Sequence, residues 1–157
     1  MPEEVSTSNL RWLCSKFESL SSDELYSLLK LRAEVFIVEQ DCNYQDLDGK
    51  DQVAFHLLGT QDSDLCCYAR LIPPGISYDE ASIGRIVTSS KFRGTGIGKL
   101  LVAECIRQCR ILWPESAITI SAQQYLERFY HGYGFTTESE AYQEDGIPHI
   151  RMQLTSS

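Results

Sequence analysis

The most constraining feature of this 157-residue sequence is a strand that runs through a glycine-rich turn into a long amphipathic helix. Residues 81–88 predict the strand, and the loop at 89–98 contains Gly94, Gly96 and Gly98. From about residue 96 to 113, apolar side chains recur at steps of three and four, which predicts a helix with one buried stripe. A glycine turn at a helix N-terminus leaves several backbone N–H groups free, so the segment predicts an anion site suited to phosphate.

Two nucleotide-binding motifs do not fit this turn. A P-loop requires G-x-x-x-x-G-K-[ST], but Gly94 and Gly98 are one residue too close, and Leu100 replaces the hydroxyl that would bind Mg²⁺. The dinucleotide fingerprint G-x-G-x-x-G also fails, because Lys99 stands at the third glycine position. The turn therefore either binds phosphate in another setting or is an ordinary strand-to-helix connection, and its three alternating glycines preceded by Arg93 favour phosphate binding.

The remaining hydrophobic patterns predict a mixed sheet with helices on both faces, which is one α/β (or α+β) domain over residues 1–157. Ser21 and Glu24 fit a capping box at the start of a first helix. In chain order we expect a strand at 11–17, a helix at 22–40, strands at 53–59, 65–72 and 81–88, the helix at 96–113, a strand at 117–121, a helix at 123–133, and strands at 135–141 and 149–154.

Charge and composition exclude several classes of protein. The 14 Lys and Arg against 22 Asp and Glu give a net charge of −8, which argues against nucleic acids and anionic membranes as partners. An acidic surface instead attracts cationic partners such as amines. No transmembrane helix or secretory signal is evident, and the six cysteines form no C-x-x-C pair. We expect a cytoplasmic protein with reduced thiols.

Two motifs point to one family. The segment Arg93-Gly94-Thr95-Gly96-Ile97-Gly98 fits [QR]-x-x-G-x-[GA], and residues 130–135 contain Tyr-x-x-x-Gly-Phe with Tyr130 and Gly134 in register. With these motifs, residues 10–154 resemble the GNAT superfamily of N-acetyltransferases. Residues 31–40 (LRAEVFIVEQ), 44–49 (YQDLDG) and 144–150 (EDGIPHI) narrow the resemblance to its ElaA-like branch.

The resemblance implies a GNAT-like, mostly antiparallel sheet of about six or seven strands. It also implies acetyl-CoA as co-substrate, with no metal. The backbone of Ile86, Val87 and Thr88 would pair with the pantetheine arm, and the Val87 N–H would polarise the thioester carbonyl. The pyrophosphate would be held by the glycine turn and its neighbours, namely Arg93, Gly94, Thr95, Gly96, Ile97, Gly98 and Lys99.

Acetyl transfer also needs an acid and a base. The resemblance makes Tyr130 the acid that protonates the leaving thiolate, because a phenol is protonated at neutral pH; otherwise Tyr130 is one of the buried aromatics of its helix. Glu39 and His149 are the first choices on the acceptor side. The other polar residues available as a base are Asp46, Asp48, Glu144 and Asp145, and each carboxylate has the alternative of a solvated loop charge.

The resemblance implies that the acceptor is an amine of a small molecule or a peptide, and the sequence leaves its identity open. Monomer and homodimer both remain open. A longer acyl chain fits the same motifs, because acyl choice depends on pocket volume. A non-catalytic module that binds or senses CoA is the alternative from a different functional class. Arg32 and Arg85 lie in apolar segments, either as buried charges at the site or with their charged ends reaching solvent.

Overall fold

The computed structural model describes residues 9–156, which form one eight-stranded sheet. The strands are β1 (Arg11–Lys16), β2 (Phe55–Gln61), β3 (Asp64–Ile72), β4 (Ala81–Thr88), β5 (Ile118–Gln123), β6 (Thr136–Thr137), β7 (Tyr142–Glu144) and β8 (Ile147–Leu154). Their order is β1-β2-β3-β4-β5-β8-β6, and β7 also pairs with β8. Only the β4–β5 pairing within this sheet is parallel. The predicted mixed, mostly antiparallel α/β sheet is confirmed, while the ends of the domain predicted over residues 1–157 lie outside the described residues.

Three α-helices cover the sheet: α1 (Ser22–Arg32), α2 (Ile97–Leu112) and α3 (Glu127–His131). The capping box that begins α1 is confirmed, since Ser21 N–H donates to Glu24 Oε1 over 2.8 Å and Glu24 N–H donates to Ser21 Oγ over 3.1 Å. After Arg32 the chain continues as a π-helix, Ala33–Glu39, so the helix predicted at 22–40 changes its winding partway.

Each face of the sheet has its own hydrophobic core. The predicted stripe of α2 is confirmed, because Leu101, Val102, Cys105 and Cys109 are buried against one face. On the other face α1 and the π-helix bury Leu28, Leu31 and Val35 against Leu58, Tyr68 and Val87. Burial of this kind stabilises a fold by about 1.5–3 kcal/mol for each large apolar side chain.

The C-terminal third of the chain differs from the prediction. The strand predicted at 135–141 is only the two-residue β6, and the chain pairs with β8 again as β7. The helix predicted at 123–133 is a 3₁₀ turn, Gln124–Leu126, followed by the five-residue α3. The helix ends at His131 with Gly132 as its C-cap, and Gly134, with φ +96°, follows two residues later. The two short strands account for the difference between eight strands and the six or seven expected.

A buried network of charges covers the rest of the α1 face. We call it the arginine–aspartate network; it comprises Arg32, Arg70, Arg85, Asp46, Asp48 and Asp51. Arg32 is completely buried, and donates to Asp46 over 2.9 Å and to Asp51 over 2.7 Å. Arg70 donates to both oxygens of Asp48, over 2.8 and 2.7 Å, and to Asp51 over 3.0 Å. The network joins α1, β3 and β4 to the polar loop at 41–50.

His56 lies beside this network, completely buried in β2. Its Nε2 lies 2.8 Å from the Asp51 carbonyl, which can only accept, so the Tyr68 hydroxyl donates to Nδ1 over 2.7 Å. Burial lowers the pKa of this imidazole. Burial also opposes ionisation of Asp48 and Asp51, but the hydrogen bonds and charges of Arg70 and Arg32 outweigh it and hold their pKa values below the usual range.

These shifts predict a stability that declines in two stages as pH falls. Folding resists protonation of His56, so the unfolded chain binds more protons, and the free energy of unfolding falls below about pH 6.5. Protonation of Asp48 and Asp51 adds a second decline below about pH 4. Urea unfolding across this range should show that His56→Gln removes the first stage only. The control, His131→Gln at an exposed histidine, should keep it; a first stage that persists in His56→Gln would assign it to another group.

Candidate active site

The sheet opens into a cleft between β4 and β5. These parallel strands pair only at Ala81–Ile118 and Ser82–Thr119, and beyond those pairs they separate. The resulting cleft has a volume of about 940 Å³. Its walls are residues 83–88 of β4, residues 120–123 of β5, the end of the π-helix, the loop at 41–50, Tyr130, and residues around the β7–β8 turn. A cavity of this size is typical of sites that bind small molecules or cofactors.

A β-bulge in β4 decides which backbone amides face the cleft. Val87 lies opposite Tyr68 and Gly84 lies opposite Arg70, so β4 has one extra residue at Arg85–Ile86. Beyond the bulge, the Ser89 N–H donates to the Cys66 carbonyl over 2.8 Å. Antiparallel partners alternate between bonded and unbonded pairs, so the Val87–Tyr68 pair is bonded and the Val87 N–H points at β3. Ile86 and Thr88 flank Val87 within the same strand, where successive residues point their amides to opposite sides, so we infer that both amides point away from β3, toward the gap.

This register argues against the predicted role of the Val87 N–H. An amide that donates to the neighbouring strand is not free to polarise a carbonyl in the cleft. The Val87 side chain is buried as well, against the α1 face. Ile86, one residue earlier, presents its N–H to the gap, and we assign the role to it below.

The glycine turn continues from the cleft into α2. Arg93 lines the cleft, and residues 94–99 lead from it into the helix. Gly94 and Gly96 have φ values of +77° and +86°, and a Cβ at either would meet nothing within 4 Å. The turn thus needs glycine for its backbone conformation and leaves open space beside it. The N–H groups of the first turn of α2, which begins at Ile97, have no partner within the helix and face an anion-binding position.

Two hydroxyl groups hold the turn in place. Thr95 donates its side-chain hydroxyl to the Phe92 carbonyl. Tyr133, from the segment after α3, donates to the Lys99 carbonyl over 2.8 Å. Both contacts use backbone acceptors, so they fix the path of the loop and leave its N–H groups free for a ligand.

Glu39 and Arg93 form a bidentate ion pair across the edge of the cleft. The second of its bonds joins Arg93 Nη2 to Glu39 Oε2 over 2.9 Å. Hydrogen bonding from Arg93 lowers the pKa of Glu39. The structure thus brings together two predicted site residues that lie far apart in sequence, and pairs Glu39, predicted on the acceptor side, with Arg93, predicted at the pyrophosphate. A carboxylate held this way is a poor proton acceptor.

Tyr130 lies on the wall of the cleft, where only 6 % of its surface is exposed. The rings of Phe129 and Phe135 pack edge-on against its ring, with centroids 5.2 and 5.9 Å away. Burial raises the pKa of the Tyr130 phenol above its usual value. The hydroxyl therefore stays protonated at physiological pH, as a proton donor must.

His149, predicted on the acceptor side, lines the cleft together with Glu144. Its Nδ1 lies 2.7 Å from the Ile147 carbonyl, which can only accept, so Nδ1 carries a proton. Its Nε2 faces Glu144 Oε2 over 3.2 Å. Ser121 lies within hydrogen-bonding distance of Glu144 Oε1, at 3.3 Å, and of the Tyr142 hydroxyl. In the neutral ring the lone pair of Nε2 faces a carboxylate, so a proton placed between them is stabilised on both sides.

The charges that line the cleft are balanced, although the chain as a whole carries −8. The basic residues are Lys50, Arg70, Arg85 and Arg93, and the acidic ones are Glu39, Asp48, Glu144 and Asp145. The acidic character of the chain is thus not concentrated here. Charge attraction does not by itself select a cationic acceptor.

Sequence reasoning missed the arginine–aspartate network and the Ser121–Tyr142 contact. Arg70 was the available signal for the network, because a charged residue stood among the apolar residues of a central strand. The acidic spacing of Asp46, Asp48 and Asp51 was the matching signal in the loop. Nothing local in the sequence indicates Ser121 and Tyr142, since their contact depends on how β7 returns to β8.

Two negative findings apply to the described part of the chain. Within residues 9–156, no three His, Cys, Asp or Glu side chains are placed to share a metal ion. None of the helices in the same range is long and apolar enough to cross a membrane.

Similarity to known proteins identifies the family of this chain. Residues 20–156 match the family model described as an acetyltransferase (GNAT) domain. The chain belongs to the GNAT acetyltransferase family. Among curated GNAT relatives, ElaA of Escherichia coli is 39 % identical over 145 residues, which cover 91 % of this chain and 95 % of ElaA. The predicted resemblance to the ElaA-like branch is confirmed.

Solved structures of similar proteins have the same fold. An acyl-CoA N-acyltransferase from Pseudomonas aeruginosa has a TM-score of 0.90 and 42 % identity, covering 93 % of this chain and 99 % of that one. The E. coli ElaA structure has a TM-score of 0.87 and 37 % identity, covering 92 % and 99 %. A GNAT acetyltransferase from Elizabethkingia anophelis with acetyl-CoA bound shares the fold at a TM-score of 0.63 and 16 % identity, covering 94 % and 99 %.

Substitution in the glycine turn should abolish CoA binding without unfolding the protein. Gly96→Glu places bulk and negative charge in the open space beside the free amides, so titration calorimetry should detect no acetyl-CoA or CoA binding. Gly75→Glu is the matched control, because Gly75 has φ +88° and open space as well but does not line the cleft. Both variants carry the same backbone strain. Equal affinity of Gly96→Glu and wild type would remove the turn from donor binding.

Proposed function

We propose that this protein transfers an acetyl group from acetyl-CoA to a primary amine of a small molecule or a peptide. One observation carries the proposal: the gap between β4 and β5 presents free strand amides, leads to the glycine turn, and has Tyr130 and the His149–Glu144 pair on its walls. The bound acetyl-CoA of the E. anophelis GNAT protein supports the choice of donor.

Backbone groups hold the donor in this proposal. The pantetheine arm carries amide groups and enters the gap beside Ile86, Val87 and Thr88, where it takes the place of a missing strand. The pyrophosphate lies on the N–H groups of residues 93–99 at the start of α2, where the helix dipole favours negative charge. Lys99 adds positive charge at this end, whereas the charge of Arg93 is balanced by its ion pair with Glu39.

The reaction needs no covalent intermediate with the protein. The neutral amine nitrogen attacks the thioester carbon, and the C–S bond breaks as the C–N bond forms. The Ile86 N–H donates to the carbonyl oxygen as negative charge develops there, a contribution that is typically worth about 10²–10³ in rate. Tyr130 donates its proton to the departing thiolate and can recover one from water after product release.

His149 takes the proton that the attacking amine loses. In its neutral form Nε2 carries the lone pair, because Nδ1 donates to the Ile147 carbonyl. The imidazolium that forms is stabilised by Glu144, whose carboxylate faces Nε2. Of the two predicted acceptor-side residues, the contacts favour His149 as the base over Glu39, which Arg93 engages.

Tyr130→Phe should separate turnover from donor binding. We expect kcat for acetyl transfer to fall about 10²-fold, within the usual range for loss of a general acid, while the Kd for acetyl-CoA changes less than about twofold. CoA release with a panel of primary amines and peptides, and titration calorimetry, measure the two effects. Tyr26→Phe, at an exposed tyrosine of α1, is the control.

Wild-type activity with the full panel decides between the proposed enzyme and a CoA-binding module. A folded protein that binds acetyl-CoA but releases no CoA with any acetyl or longer acyl donor would favour the module. Full activity of Tyr130→Phe would mean that water protonates the thiolate.

His149→Gln should change the pH dependence of turnover. The wild-type kcat/KM for the amine should rise with pH, because a general base accepts a proton only in its unprotonated form. The variant should be slower by about 10²-fold at neutral pH and lose that rise, because glutamine accepts no proton. The matched variant His131→Gln should keep the wild-type profile. A rise that survives in His149→Gln would assign the base to another group.

A further inference from the structure

A residue of the cleft with a left-handed backbone lies next to the proposed oxyanion donor. Arg85 has φ +51° in the middle of a strand, a conformation that residues other than glycine rarely adopt. It is the first residue of the bulge, and Ile86 is the second. Strained conformations of this kind persist only where surrounding contacts fix them.

The contacts that fix Arg85 come from the loop at 41–50. Its Nε donates to Asp46 Oδ1 over 2.7 Å, and its Nη2 donates to the Asp46 carbonyl over 3.0 Å. Asp46 is itself fixed, because its other oxygen accepts from the completely buried Arg32 over 2.9 Å. The Tyr44 ring lies 5.7 Å from the Arg85 guanidinium and supports it from the same loop.

This chain of contacts ends at the reactive part of the cleft. Without the extra residue, β4 would continue its ladder with β3, and the amides would alternate differently along the gap. We infer that Asp46 and Arg85 are positioning residues, which hold the bulge of β4 so that the Ile86 N–H faces the thioester oxygen. The inference rests on the proposed function and goes beyond it, because it gives the network a role in turnover rather than in stability alone.

The size of the effect follows from the backbone. An L-residue disfavours the left-handed conformation by a factor of about 5 to 30, whereas glycine adopts it freely. When the guanidinium is removed, kcat should therefore fall only to the extent that the new residue leaves the left-handed conformation. Arg85→Ala and Arg85→Gly both remove the charge, but only the alanine resists φ +51°.

The experiment compares these two variants with Arg107→Ala, which removes an arginine from an exposed ion pair with Glu104 on α2. Acetyl-CoA and the amine of the panel with the highest wild-type kcat/KM are the substrates. We expect kcat of Arg85→Ala to fall about 5- to 30-fold, Arg85→Gly to recover most of that loss, and both to keep the wild-type Kd for acetyl-CoA and KM for the amine. Arg107→Ala should match wild type.

A second measurement keeps the test independent of folding defects. In the ¹⁵N-edited NMR spectrum of Arg85→Gly, the amide signal of Ile86 should stay at its wild-type position. In the spectrum of Arg85→Ala, the Ile86 signal should be shifted, while the signals of α2 stay unchanged. Asp46→Asn, which keeps an oxygen acceptor but not the charge, should fall between wild type and Arg85→Ala in kcat.

The outcomes separate this inference from the proposed function. Equal losses in Arg85→Ala and Arg85→Gly with a raised KM for the amine would make Arg85 an acceptor-binding residue and overturn the positioning role. Unchanged kcat in Arg85→Ala would overturn it as well. Failure of the wild-type protein to transfer any acyl group would instead overturn the proposed function, and with it the role in turnover.

Discussion

The arginine–aspartate network is the constraint on which the cleft depends. Three arginines and three aspartates lie together on the α1 face, and Arg32 in their midst is completely buried. Removing charges from water is costly, and the network gains little net stability over an apolar core of the same volume. Removing a single member of the network has a larger effect, because it leaves a buried charge without its partner. Such a change typically lowers the free energy of unfolding by about 3–5 kcal/mol. The loop at 41–50, which has no strand or α-helix of its own, is held against the sheet by these bonds.

Local patterns predicted most of the fold, because they depend on neighbours in sequence. The capping box at Ser21, the buried stripe of α2 and the glycine turn each follow from residues within a few positions of one another. The same is true of Tyr130 and Gly134, whose spacing could be read directly. Prediction failed where the hydrophobic signal was weak, as in the segment at 135–141, which contains only the two-residue β6.

The parts of the site that escaped prediction depend on contacts between distant segments. Glu39 and Arg93 are 54 residues apart, and no local pattern joins them. The direction of the Val87 N–H is a different case, because one extra residue in β4 reverses which neighbouring amides face the gap. The identity of the residues around the cleft was therefore predictable in large part, but the orientation of their backbone groups was not. The net charge of the chain favoured cationic partners, but it does not describe the cleft. Acidic residues elsewhere on the chain set the total, while the charges that line the cleft are balanced.

The two sides of the cleft between β4 and β5 differ in the groups that form them: backbone on one side and side chains on the other. In the proposed function, recognition on the side of the strands and the glycine turn belongs to peptide groups, which no substitution other than proline deletes as long as the backbone keeps its path. On the side of His149, Glu144 and Tyr142, recognition belongs to side chains, each of which a single codon change can replace. Mutation can therefore explore new acceptors freely on this scaffold while the donor stays the same. Proteins that descend from this scaffold should therefore change their acceptor more readily than their acyl donor.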